Sequence, residues 1–289
     1  MRHWDMDENV PPVLIVNSAS GSYSEQAVAD VRAALGHGDG AHVPTFDCRT
    51  DGLPGRGALE EAGARRVAIF AGDGTISRHL VRLEAEGWGG AVLPLPGGTQ
   101  NLLARTMFGQ LSASEIAAML AEGQLAETRR DCLRCAGHTA LAEILCGPGA
   151  RWAEVREDMR ALEVSEAAAK SLDITREAAT GALVRLVDPP RGRAEGYPGL
   201  HFSLLDGAMI ARGYRMENLG DWVRQGWAMA TRDFREGPFD DLGVADRARV
   251  AAVEGSAIDL MIDGETESAG AETGVRRETF GLSLLGLAR

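Results

Sequence analysis

The sequence predicts an α/β protein. A doubly wound, mostly parallel sheet domain occupies residues 1–126, and a second, largely antiparallel β-rich domain with a helical insertion occupies residues 127–289. Three observations predict it. Within the first 110 residues, three apolar runs each lead through a glycine-bearing turn into a segment with helical spacing, the pattern of parallel strands joined by crossover helices. Past that region the pattern becomes short apolar runs broken by frequent turn residues, which favours antiparallel pairing. The chain of 289 residues is also long enough for two cores at roughly 150 residues each.

The elements follow in order. "PPVLIVNSASGSYSEQAVADVRAALG" begins with an apolar run, turns through Asn, Ser and Gly, and resumes with Ala27, Val28, Val31 and Leu35 at helical spacing. Ser24 suits the helix N-cap and Gly36 its stop. "RRVAIFAGDGTISRHLVRLEAEG" and "GGAVLPLPGGTQNLLARTMFG" repeat the arrangement. A further helix starts near Ser112, where Glu115 completes a capping box. Then "ETRRDCLRC" and "HTALAEILCG" read as a hairpin, residues 150–182 as a helical stretch rich in Ala, Arg and Glu, and "LHFSLL", "GAMIARGY", "ARVAAVEG", "AIDLMI" and "TFGLSLLG" as strands.

Composition narrows the function. A net charge of −12 without a Lys/Arg cluster opposes nonspecific attraction to phosphate backbones and to anionic lipid surfaces, so binding to nucleic acid is not expected. The start "MRHWDMDENVPP" lacks the apolar core of a signal peptide, and no apolar run approaches the roughly 18 residues of a membrane span, so a cytoplasmic protein is expected. A homodimer is compatible with the composition. Cys132, Cys135, His138 and Cys146 raise the question of zinc, but residues three apart on a strand point to opposite faces, which favours reduced, buried thiols. Lys170 is the only lysine and no Walker A loop occurs.

Three turns carry the chemistry: "NSASGS" at 17–22, "AGDGTI" at 71–76 and "PGGTQN" at 96–101. Each sits at the carboxyl end of a predicted strand, where glycine admits close backbone approach and a helix N-terminus favours an anion. Asp73 within such a turn would repel phosphate unless a cation intervenes, which suggests magnesium bound with a nucleotide. Asp-Gly is also ordinary turn chemistry, and one motif alone would leave that reading ahead. Near the end, "AIDLMIDGETES" places Asp263-Gly264-Glu265 after an alternating run; the residues themselves read as a hairpin with an Asp-Gly turn.

"AGDGT", followed about twenty residues later by "LPGGTQNLLAR" and preceded by "VLIVNSASG", resembles the paired signature and opening Asn-Pro-x-x-Gly of the diacylglycerol kinase catalytic family. That family includes sphingosine kinases and bacterial lipid kinases; NAD kinases are more distant. The resemblance covers about residues 13–109. It implies an ATP-binding α/β domain, a β-rich domain after it, an active site in the cleft between them, and an ATP- and magnesium-dependent phosphotransferase acting on a hydroxyl of diacylglycerol or a similar lipid alcohol at a membrane surface. Carried over by position, Asn17, Gly72, Asp73, Gly74, Thr75, Gly98, Thr99 and Asn101 line the nucleotide site, with Gly97 and Gln100 at variable positions. Asp73 would hold the metal, Glu265 would be the general base, and Asp263 would support it. Arg105 or an arginine of the second domain would offset remaining charge. Ala71 replaces the family's first glycine, and "ILCGPGARW" stands where a Gly-Phe-Gly-like segment followed by Asp is common. These departures motivate an alternative, a catalytically impaired nucleotide-binding member. A kinase of a soluble acceptor such as NAD is a further alternative, although 127–150 offers no equivalent of the Asn-Glu pair usual in NAD kinases.

Overall fold

The computed structural model describes residues 12–36, 43–99, 101–151, 183–205, 207–215 and 239–287. Almost all of the expected helical insertion at 150–182, together with Trp222, Trp227 and Gln100, lies outside them. The chain divides into two compact units, Met1–Arg130 with Phe280–Arg289, and Asp131–Thr279.

The first unit runs β1 (Val13–Val16), α1 (Glu25–Leu35), β2 (Thr45–Asp47), α2 (Arg56–Glu61), β3 (Arg66–Ala71), α3 (Asp73–Ala85), β4 (Ala91–Pro96), α4 (Leu102–Phe108), α5 (Ala113–Ala121) and β5 (Leu125–Thr128). Strand β1 and nearly all of β3 and β4 are buried, as expected of a parallel sheet covered on both faces. The helix ends follow local chemistry. Ser24 caps α1 by accepting from the Ala27 amide, and Gly36 closes it; Ser112 and Glu115 form a complete capping box on α5. Val28, Val31 and Leu35 of α1 pack with Ile116, Ala117 and Leu120 of α5 on one face of the sheet. His79 of α3 is fully buried, its Nε2 donating to the Pro54 carbonyl at 2.8 Å; burial lowers its pKa, which favours the neutral ring.

The second unit contains β6 (Asp131–Cys135), β7 (His138–Ala140), β8 (Glu143–Cys146), a single 3-10 turn (Pro148–Arg151), β9 (Val184–Asp188), β10 (Pro190–Arg191), β11 (Leu200–Leu205), β12 (Ala208–Tyr214), β13 (Phe239–Val244), β14 (Arg247–Ala252), β15 (Ile258–Ile262), β16 (Glu265–Ala269) and β17 (Glu272–Thr279). They form two antiparallel six-stranded sheets, ordered β10-β9-β14-β17-β6-β7 and β13-β12-β11-β8-β15-β16. One core fills the space between the sheets, with Leu133, Val250 and Val275 from the first and Ile144, Phe202 and Leu260 from the second. Cys135 and Cys146 face this core, and the Cys135 thiol lies 3.5 Å from the Thr273 hydroxyl; Cys132 is buried outside that core.

The last strand, β18 (Ser283–Leu287), was expected in the β-rich half but joins the first unit's sheet, whose order is β2-β1-β3-β4-β18-β5. It runs parallel to β4 and antiparallel to β5, because the return connection from a second unit can re-enter the sheet beside β4. Leu284 is fully buried there. Replacing it, Leu284→Ala, should cost about 2–5 kcal/mol of stability, seen as a lower urea midpoint. An unchanged midpoint would show that the chain's end is not part of the cooperative unit.

Candidate functional site

Three loops meet at the carboxyl ends of β1, β3 and β4. The first is laced to the other two by hydrogen bonds. Asn17 Nδ2 donates to Thr75 Oγ1 at 3.0 Å, the Gly72 amide donates to Ser20 Oγ at 3.2 Å, and Ser22 Oγ donates to the Gly98 carbonyl at 2.9 Å. Asn17 Oδ1 accepts from the Ala19 amide at 3.0 Å, so both ends of that side chain are engaged in shaping the loops. Ser20 and Ser22 went unremarked in the motif; the serine-rich "NSASGS" was the signal for them.

The other two loops touch backbone to backbone. A Cβ on Gly98 would lie 2.6 Å from Gly72 Cα, and one on Gly97 would lie 2.6 Å from the Ala71 nitrogen. Glycine is therefore required at Gly97, which sequence comparison treated as variable. The Ala71 methyl, by contrast, is fully buried at the end of β3 and does not protrude into the turn. Asn101 adopts a left-handed conformation at the start of α4, and its amide closes the loop on itself, accepting from the Gly98 amide at 2.7 Å and donating to the Gly98 carbonyl at 2.9 Å. Thr99 is exposed at the loop tip.

Helix α3 starts at Asp73 itself, with Gly72 as its N-cap. The Asp73 carboxylate faces the backbone N–H groups of Leu102, Asn101 and Leu103 at the start of α4, so it lies against two helix N-termini at once. Burial raises its pKa, and those amides only partly offset the effect. Its Oδ1 is buried and has no hydrogen-bond partner among the described residues. An orphaned anionic oxygen of this kind fits a hard cation. No group of three or more His, Cys, Asp or Glu side chains gathers to hold a metal among the described residues, so a cation there would rely on one carboxylate, as magnesium with a nucleotide does.

In the second unit, Asp263 and Gly264 form a two-residue turn between β15 and β16, with φ of 48° and 94° and Ile262 paired directly with Glu265. Positive φ at both central positions gives the mirror-image turn that suits the twist of a hairpin. The Asp263 carboxylate is held by three backbone amides of the β7–β8 connection: Leu141 to Oδ2 at 2.7 Å, and Ala142 and Glu143 to Oδ1 at 2.9 and 3.0 Å. Burial pushes its pKa up to about 6 against the pull of those amides. Glu265, one residue beyond the turn, is exposed at the head of β16. The structure thus gives the two carboxylates different situations, Asp263 fixed in the backbone and Glu265 open to solvent.

Comparison with known proteins agrees with the motifs. Residues 11–130 match the family model described as the diacylglycerol kinase catalytic domain. Comparison with curated proteins gives no match. Among solved structures, one described as a diacylglycerol kinase from Bacillus anthracis strain Sterne is 12% identical with a TM-score of 0.61, covering 96% of this chain and 97% of its own. Two others from the same organism, assigned as diacylglycerol kinases, are 14% and 13% identical with TM-scores of 0.63 and 0.60. They cover 99% and 95% of this chain, and 98% and 96% of theirs. At such identity the likeness shows the fold, and the family model matches residues 11–130.

Two substitutions check the local accounts. Gly97→Ala should destabilise the first unit by about 1–3 kcal/mol, because the added methyl meets backbone that cannot step aside; a melting temperature equal to wild type would refute the contact. Asp263→Ala should cost about 1–3 kcal/mol for each buried amide left without an acceptor, read by chemical denaturation. Asp263→Asn, which keeps one acceptor oxygen, should lose less.

Proposed function

We propose that the chain is an ATP-dependent lipid kinase that transfers the γ-phosphoryl group to a hydroxyl of diacylglycerol or a similar lipid alcohol. The observation that carries the reading is the lacing of three glycine-bearing loops at the ends of β1, β3 and β4 around a half-buried carboxylate with one oxygen unengaged. Loop amides facing a ligand, with two helix starts behind them, suit a chain of phosphates. The family match over residues 11–130 supports the same chemistry.

In this reading Gly72, Gly74, Thr75, Gly98 and Thr99 bind the nucleotide, chiefly through backbone N–H groups. Asn17 and Asn101 act one step removed, since their side chains hold the loops. Magnesium, held at Asp73 together with the phosphates, would supply charge neutralisation for the transferring group. Glu265 accepts the proton of the acceptor hydroxyl as general base, and Asp263 fixes the turn from which Glu265 projects. The balance closes simply: the acceptor oxygen bonds to phosphorus, the bond to the ADP oxygen breaks, and the acceptor proton passes to Glu265.

The acceptor lies at a membrane surface, which a protein of this kind reaches from the cytoplasm. No helix among the described residues is long and apolar enough to cross a bilayer. Of the two departures that motivate an impaired enzyme, Ala71 and "ILCGPGARW", the first is fully buried at the end of β3, which supports an intact loop there.

Purified protein incubated with labelled ATP, magnesium and a panel of diacylglycerol, sphingoid, polyprenol and NAD acceptors tests the proposal. Label should enter a lipid. Glu265→Gln should lower kcat about 10²–10⁴-fold while ATP binding persists, and Asp73→Ala should weaken binding of magnesium with ATP. Transfer to NAD alone, or no transfer together with unaltered nucleotide binding by Asp73→Ala, would sink it.

A further inference from the structure

The outward face of one sheet of the second unit carries arginines in register. Arg247 on β14 is paired directly with Arg276 on β17, and Arg276 directly with Arg134 on β6. Their strand neighbours Ala248, Val275, Leu133 and Cys135 point into the core, so alternation turns this row outward. Arg249 and, on β9, Arg185 share the face, Arg185 lying across from Ala251. Four of the five are exposed and Arg134 is half-buried.

Among the described residues, carboxylates on the face do not match that number. Glu272 pairs with Arg249 at 3.0 Å. Glu278 is shared, 2.5 Å from Arg276 and 3.4 Å from Arg134. Asp188 lies opposite Arg249 in the ladder. Among the described residues, five guanidinium groups against three carboxylates leave local positive charge on a chain whose net charge is −12, a basic cluster that strand pairing assembles and the linear sequence, read as having none, does not show. Like charges directly opposite one another destabilise a sheet, so folding alone gives no reason for the row. Arginine is also the cation whose planar fork matches phosphate oxygens, and adjacent strands at about 4.8 Å spacing place the forks of Arg247 and Arg276 side by side, with Arg185 further along the same face. An array spread over β9, β14 and β17 suits an extended partner better than a small ligand.

We propose that this arginine face docks the second unit onto an anionic lipid surface, the headgroup phosphates bridging Arg247, Arg276 and Arg185. The choice of a bilayer as occupant rests on the lipid-kinase reading; the positive face does not.

Sedimentation of the full-length protein with vesicles tests it without requiring any phosphoryl transfer. Protein should partition onto phosphatidylcholine vesicles containing phosphatidylglycerol, weaken as salt is raised, and leave pure phosphatidylcholine vesicles in solution. Arg247→Gln with Arg276→Gln should reduce partitioning about 25-fold, about fivefold for each arginine. Retained partitioning by Arg247→Lys with Arg276→Lys, and wild-type melting temperatures for both pairs, support a charge effect. Equal partitioning by the glutamine pair and wild type, equal binding to neutral vesicles, or tighter binding to a soluble acidic peptide than to phosphatidylglycerol would overturn the proposal. Because the readout is binding, partitioning with no kinase activity would count against the proposed reaction, and activity without partitioning against the face.

Discussion

The first unit depends on one close approach, the backbone of Gly97 and Gly98 lying against Ala71 and Gly72. Parallel strands bring their carboxyl ends to the same edge of the sheet, but nothing in strand pairing makes the loops beyond them touch. Here the absence of two Cβ atoms lets the β3 and β4 loops pack main chain on main chain. Asn101 can then fold back on Gly98, and α4 can start where its first amides meet Asp73. The loop after β1 adds side-chain bonds from Asn17, Ser20 and Ser22. Rigidity in this region therefore comes from backbone contact and short polar side chains, which leave amides free of bulk and available to an anion.

The second unit solves a different problem with a similar device. A hairpin tip is ordinarily mobile, because few contacts reach it. Asp263 reverses this by reaching from the turn into the β7–β8 connection, where three amides converge on its carboxylate. Its own amide donates back to the Glu143 carbonyl at 3.1 Å. Both carboxylates at the ends of strands, Asp73 and Asp263, thus gather backbone N–H groups from a neighbouring connection. They differ in what remains: Asp73 keeps an oxygen without a partner, whereas both oxygens of Asp263 are engaged.

Much of the architecture was legible in the chain. Buried parallel strands announce themselves as unbroken apolar runs, so β1, β3 and β4 and the helices capped by Ser24 and Ser112 were readable residue by residue. Strands β13, β16 and β17 were not, since "FDDLGV", "ETESA" and "ETGVRRET" carry charged residues throughout and only partners across the sheet reveal their pattern. The destination of β18 was hidden for another reason: an apolar strand does not state which sheet it will join, and β18 crosses back over more than a hundred residues to pair with β4. At the site, the motif residues Asn17, Gly72, Asp73, Thr75, Gly98 and Asn101 were named from the sequence and come together in the fold. What the motif could not convey was the division of labour, with the asparagines shaping loops, the serines tying them together, and Gly97 admitting the contact on which the others rest.

The Ala71 departure shows why position along a strand matters more than motif spelling. A glycine in a phosphate loop is needed where φ is positive or where another atom occupies the place of its Cβ. Residue 71 meets neither condition. It ends β3 in register with Pro96, its side chain points into the packed interior, and its φ is not among the positive values of the chain. The close approach at that point is made by its nitrogen and Cα, which an alanine supplies as well as a glycine does. The strict requirements fall across the gap, at Gly97 and Gly98, where a Cβ would meet backbone at 2.6 Å, and there this chain keeps glycine. The departure from the family's spelling is consequently a core substitution, and the loop that would face the nucleotide retains the backbone geometry that the other residues were arranged to support.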